Sequence, residues 1–197
     1  MTNSAFALTS DKLIRTALKR KLKEIHRKNR QTRIIEEFGV THGAARVDIA
    51  VVNGHIHGFE LKSDVDTLSR LPGQMLAYNS VFDRVTLVVG KHHLYEAFKL
   101  IPEWWGVVVA KATNATTVTL LTIREPDENP TRNSISIASL LWRREAIDIL
   151  EKRNQADGIR SKPRRLIYER LTKVLDQDTL RAEVRNRLFS REDWRSV

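Results

Sequence analysis

Between Arg46 and Ser63 apolar and polar residues alternate with period two, through Val47, Ile49 and Val51 and again through Phe59 and Leu61, with Asn53-Gly54 between the two runs. This predicts two antiparallel strands joined by a tight turn. Loop length decides how they pair. A two-residue loop sets Asp48 opposite Phe59 and Val47 opposite Glu60, which mixes polar and apolar side chains on each face. A three-residue, bulged loop sets Val47, Ile49, Val51, Phe59 and Leu61 on one apolar face, with Asp48, Glu60 and Lys62 on the other. The second register is expected, because a slip of one residue exchanges the two faces.

Helical spacing governs the stretch before this hairpin. Leu13, Ile14, Ala17, Leu18, Leu22 and Ile25 fall on one side of a helix opening at Ser10, with lysines and arginines opposite. Arg33 to Val40 is read as a short strand. Asp64 to Phe82 reads as a helix interrupted near Pro72-Gly73, Arg84 to Val89 as a buried strand and Lys91 to Ile101 as a second helix. Gly106 to Ala110 and Thr117 to Ile123 are two further strands, the last at an edge. The order α, β-meander, α, β, α, β, β indicates an α/β sandwich with a mixed sheet. Glu125 to Asn133, with Pro126 and Pro130, is expected to link a core over residues 1–125 to a helical extension over 126–197. Helices are predicted there over Ile135 to Arg153, Pro163 to Leu175 and Thr179 to Phe189.

Charge adds a partner to this picture. The chain has 197 residues and a formal charge of +10, an excess that suits a polyanion. Both ends carry it. Residues 1–33 hold ten Lys and Arg against two Asp and Glu, and residues 141–197 hold fifteen against ten. The middle, 34–140, holds nine against twelve. A slightly acidic centre between basic flanks fits a metal site beside surfaces that attract phosphate, although each basic run also reads as a solvated helix face. The chain has no cysteine, and neither a signal peptide nor an apolar run of membrane-spanning length is evident. Thiolate metal sites and disulfides are excluded, and a reducing cytoplasm with no membrane partner is expected.

The chemistry concentrates on the predicted polar face. Hydrolysis of a phosphodiester needs neutralised charge at the phosphate and a positioned water of lowered pKa, both of which Mg²⁺ or Mn²⁺ supplies through hard oxygen ligands. Asp48 and Glu60 are candidate ligands, the Leu61 carbonyl is a third, and Lys62 is placed to hold the attacking water. Gln74 and Tyr78 follow one helical turn apart.

An Asp on one hairpin arm, Glu-x-Lys on the next and Gln-x-x-x-Tyr on the following helix resemble the PD-(D/E)XK nucleases. The stretches EEFGVTHGAARVDIAVVNG, FELKSDVDTLSRLPGQMLAYNSVFDRVTLVVG, WWG, LWRREAIDIL and RSKPR also resemble a small sce-type family of uncharacterised bacterial proteins assigned to that superfamily. The resemblance implies a restriction-endonuclease-like three-layer sandwich with a central mixed β-sheet plus a helical C-terminal extension. It also implies metal-dependent hydrolysis of DNA at Asp48, Glu60 and Lys62, assisted by Gln74 and an upstream carboxylate. Glu37 is chosen for that carboxylate over Glu36, with Glu24 a third possibility. If Arg33 to Val40 is a regular strand, Glu36 and Glu37 face opposite sides and only one reaches the metal.

Nucleic-acid contacts are expected from His42 and Arg46 beside the hairpin, from Tyr78, from Arg160, Lys162, Arg164 and Arg165, and from the basic first helix. Trp104-Trp105 reads as packing at a strand mouth rather than as a base-stacking pair, and His55, His57, His92 and His93 are not expected to bind metal. A homodimer is compatible with the sequence. The rival reading is a nucleic-acid-binding or assembly protein that keeps a nuclease-like fold without catalysis.

Overall fold

A computed structural model describes residues 7–192. The first helix, α1, spans Asp11–Ile25 and buries Ile14, Ala17, Leu18 and Leu22. Ser10 precedes it in an extended conformation, and its carbonyl accepts from the Leu13 and Ile14 amides, while its hydroxyl makes no cap. Strands β1 (Arg33–Val40), β2 (Ala45–Val52) and β3 (Ile56–Lys62) form the expected meander. Helix α2 (Leu71–Val81) leads to β4 (Arg84–Gly90), and α3 (Leu94–Leu100) to β5 (Gly106–Ala112) and β6 (Val118–Arg124). Four helices follow: α4 (Ser134–Ala138), α5 (Arg143–Glu151), α6 (Arg164–Val174) and α7 (Gln177–Ser190).

The strands lie in chain order in one six-stranded sheet. β1 pairs with β2 and β2 with β3 antiparallel, β3, β4 and β5 run parallel to one another, and β6 returns antiparallel at the edge. The protein is therefore α/β with a mixed sheet and helices on both faces. Helix α1 covers one face, packing Ile14 and Leu18 with Ile49, Val51, Phe59, Leu61 and Val88. Helices α2 to α7 cover the other, where Ile137, Ile149, Ile167, Leu180 and Leu188 share a core with Leu87, Val107 and Tyr78. No helix among the described residues is long and apolar enough to cross a membrane.

Several elements differ from the sequence expectation. Asp64 to Arg70 is irregular, and α2 begins at Leu71 with Pro72 in its first turn. Proline there loses no hydrogen bond and starts a helix, so it opens α2 and does not interrupt it. The predicted helix over Ile135 to Arg153 is two helices, broken where Glu145 Oε2 accepts from the Trp142 amide at 2.7 Å. The segment after β6 is pinned to the core. Asn129, 1% exposed, donates to the carbonyls of Asn79 and Phe82, both at 2.8 Å.

Candidate active site

Val52 pairs with Ile56 and Ile49 with Phe59, so the hairpin closes through the three-residue loop Asn53-Gly54-His55. Gly54, at φ +82°, takes the left-handed conformation that such a bulged turn requires. Ile49, Val51, Phe59 and Leu61 join the α1-side core as expected. Val47 does not. It packs on the opposite side with Ala50 and Val52, so the alternation of β2 breaks across Asp48. The same break occurs next door in β1, where Ile35 and Phe38 share one face. Glu37 between them has φ +54°, and the register runs Glu36 to Ile49 and Phe38 to Val47 on either side of it. A left-handed residue rotates the strand, so Glu36 and Glu37 do not face opposite sides. Both reach α1: Glu36 pairs with Lys19, and Glu37 Oε1 lies 2.9 Å from Arg15 Nη1.

Asp48 stands at this twist. Its Oδ2 accepts from the Leu61 amide at 2.8 Å and its Oδ1 from Arg15 Nη2 at 2.6 Å. The carboxylate thus plugs the gap where β2 and β3 part, which corrects the expectation of a plain polar face. Glu60 and Lys62 project toward α2, 2% and 5% exposed, with Lys62 Nζ 2.7 Å from Glu60 Oε1. Gln74 Nε2 donates to the same oxygen at 2.6 Å, and the Tyr78 hydroxyl donates to Glu60 Oε2 at 2.7 Å or to the Arg46 carbonyl at 2.6 Å. The Gln74 Oε1 atom is buried without a hydrogen-bond partner. Tyr78, fully buried, rests on Trp105 and Phe82, which fixes the α2 side of the site.

Electrostatics here oppose ordinary carboxylate behaviour. Burial pushes Glu60 above its usual pKa, and repulsion from Asp48 adds to it, against the pull of Lys62 and Tyr78. Burial likewise raises Asp48, against the Leu61 amide and Arg15. Burial alone would lower Arg15, but Asp11 and Asp48 more than offset it and the guanidinium is raised. Asp48 and Glu60 are near enough to repel, and with the unsatisfied Gln74 Oε1 they are the oxygen donors available to a hard cation here, Mg²⁺ and Mn²⁺ taking one or two carboxylates from a protein. Among the described residues no group of three or more His, Cys, Asp or Glu is arranged around a common metal position.

The remaining candidates are dispersed. Arg46 is exposed and lies 3.8 Å from Glu37. His42, left-handed at φ 55°, stacks on Tyr168 of α6. Arg160 pairs with Glu151 and Asp157, and Arg165 with Glu169, all at the surface. Lys162 and Arg164 are exposed beside them. Trp105 is buried and donates to Asn79. Burial drives His57 down to about 3, with the neighbouring His55 adding to the shift, so it is neutral. Glu24 is exposed near the end of α1. One participant had no signal in the sequence. Arg15 is one cation among many in α1, and only the packing of that helix brings it to Asp48.

A family described as Bacteriophage P4 protein cII matches residues 5–195. Protein cII of Enterobacteria phage P4 is 38% identical over 82 residues, a match covering 42% of this chain and 31% of that protein. Among solved structures, a protein of unknown function from Silicibacter pomeroyi is similar at a TM-score of 0.42 and 23% identity, over 73% of this chain and 92% of that one.

Proposed function

The chain belongs to the family of bacteriophage P4 protein cII, and within that family we propose that it is a metal-dependent nuclease that hydrolyses DNA phosphodiesters. The mixed sheet with helices on both faces is read as the sandwich of the PD-(D/E)XK nucleases. One observation carries the reading: Glu60, Lys62, Gln74 and Tyr78 converge within hydrogen-bond distance, beside Asp48 at the point where β2 and β3 part.

Asp48, Glu60 and the Leu61 carbonyl would hold Mg²⁺ or Mn²⁺, which when bound neutralises phosphate charge and lowers the pKa of a coordinated water. Lys62, which pairs with Glu60 at 2.7 Å, would be the residue to orient an attacking water and to offset charge developing in the transition state. Gln74 fixes Glu60 through Nε2 and offers its free Oε1 as an acceptor for the water. Tyr78 has one proton for two acceptors, so it can turn to the Arg46 carbonyl when Glu60 Oε2 is engaged elsewhere. The basic face of α1, with Lys12, Lys19, Arg20 and Lys23, supplies salt-dependent contacts to the DNA backbone.

A second reading, DNA binding without cleavage, is favoured by the pairing of each carboxylate with a protein cation, Asp48 with Arg15 and Glu60 with Lys62. Incubating labelled DNA with purified protein and Mg²⁺ or Mn²⁺, beside Asp48→Ala, Lys62→Ala and a chelator control, separates the two. Cleavage by wild type alone is expected. Binding by all three proteins with no metal-dependent cleavage would leave the second reading standing.

A further inference from the structure

Among the described residues, Arg15 is the one cation paired with Asp48, and its bonds are distributed unusually. Nη2 lies 2.6 Å from Asp48 Oδ1 and Nη1 lies 3.2 Å from the Asp48 carbonyl. The same guanidinium holds Glu37 Oε1 at 2.9 Å, and through Nε and Nη2 it holds both oxygens of Asp11 at 3.1 and 3.2 Å. The fork therefore has two seats, one on Asp48 and one on Asp11, a residue one helical turn earlier. Leaving Asp48 costs two bonds and keeps those to Asp11. Asp48 Oδ2 is already committed to the Leu61 amide, so Oδ1 is the oxygen available to a metal, and Arg15 occupies it.

We infer that Arg15 is the resident counter-ion of the site and competes directly with the divalent cation for Asp48 Oδ1. Metal binding moves the guanidinium to its Asp11 and Glu37 seat. Without metal, Arg15 balances a half-buried carboxylate that would otherwise stand unpaired beside Glu60. The residue thus sets the metal concentration at which the site loads. This rests on the metal site proposed above.

The opposing role, in which Arg15 only orients Asp48 for the metal, predicts the opposite sign. Mn²⁺ is titrated into wild type, Arg15→Gln, Arg15→Lys and Asp48→Asn without DNA, and free Mn²⁺ is read from its paramagnetic resonance signal, with folding checked by circular dichroism. Arg15→Gln is expected to bind Mn²⁺ about tenfold more tightly than wild type, the equivalent of one half-buried ion pair. Arg15→Lys, which keeps the charge but cannot fork, should fall between them, and it answers the question if the Gln variant fails to fold. Asp48→Asn should lose saturable binding. Equal or weaker binding by the Arg15 variants overturns the exchange and leaves the metal site standing. Absence of saturable binding in every protein overturns both.

Discussion

Two aspartates hold the two ends of strand β3 in the same way and with opposite results. Asp83, beyond α2, accepts the Ile56 amide at 2.7 Å, and Asp48 accepts the Leu61 amide at 2.8 Å. Each also meets arginine. Asp83 is buried and has two guanidinium partners, Arg132 at 3.1 Å and Arg181 at 2.7 Å, and its own backbone carbonyl accepts from Asn129. Its ligation ties the sheet to the segment after β6 and to α7. Asp48 shares its single arginine with Asp11 and Glu37, keeps 19% side-chain exposure and faces the charge of Glu60. The fold tolerates charge imbalance at one end of β3 and not at the other. At Asp83 the charges close on one another, and the site can only hold the structure together. At Asp48 the paired cation is shared with Asp11 and Glu37, and the proposed metal would offset the excess of acid that this leaves.

Four experiments test the difference between the two ends of β3. The largest effect is expected at the unbalanced end: Lys62→Ala should lower DNA cleavage by about 10²–10³-fold, as removal of a transition-state donor does, measured as initial rate on labelled DNA. Asp83→Ala should cost about 2–3 kcal/mol of stability, because it leaves the Ile56 amide unsatisfied and reduces Arg132 and Arg181 to their exposed partners Glu128 and Asp178, read from the urea midpoint. A cost below about 1 kcal/mol would place Asp83 with ordinary surface ion pairs and dissolve the comparison.

The third experiment concerns pH. Asp48 is raised above its ordinary 3.8 by burial, so the native state holds this proton more tightly than the unfolded chain. Its ionised form therefore costs stability at neutral pH, and that cost disappears as pH falls through the raised folded value, being gone below the ordinary one. Without metal, the melting temperature of wild type should accordingly rise relative to Asp48→Asn as pH falls toward 3.8, and a constant difference would refute the imbalance. The smallest effect lies at the turn that joins β2 to β3. Gly54→Ala should cost about 1–2 kcal/mol, the penalty for a left-handed non-glycine residue, visible in the thermal midpoint with metal affinity unchanged.

The register of the hairpin was legible in the sequence because a slip of one residue mixes charged and apolar side chains on each face, and the alternation of Phe59 and Leu61 with Glu60 and Lys62 is strict. The twist at Glu37 and Asp48 was not. A left-handed conformation is announced by glycine or asparagine, and the chain has neither at 37. The consequence was an error in the direction of Glu36 and Glu37 and in the face of Val47. The break between α4 and α5 was hidden for a similar reason, since Trp142 is not a residue that signals a helix start and the apolar spacing runs on through it. Pro72 was visible, and its meaning turned on whether it lay inside a helix or at its first turn. Arg15 marks the limit of reading along the chain: its pairing with Asp48 spans 33 residues and depends on how α1 lies across the sheet.

That placement of α1 also has a consequence for time. The helix cannot lift to let Arg15 leave Asp48, because Ile14 and Leu18 on its inner face, 0% and 2% exposed, are locked into the core beneath. The exchange proposed for Arg15 would therefore be made by the side chain alone. Rotation about side-chain bonds takes picoseconds to nanoseconds, whereas displacement of a packed helix takes microseconds or longer. Metal should therefore load in one fast phase in stopped-flow mixing, at a rate proportional to its concentration, with no slow conformational step behind it.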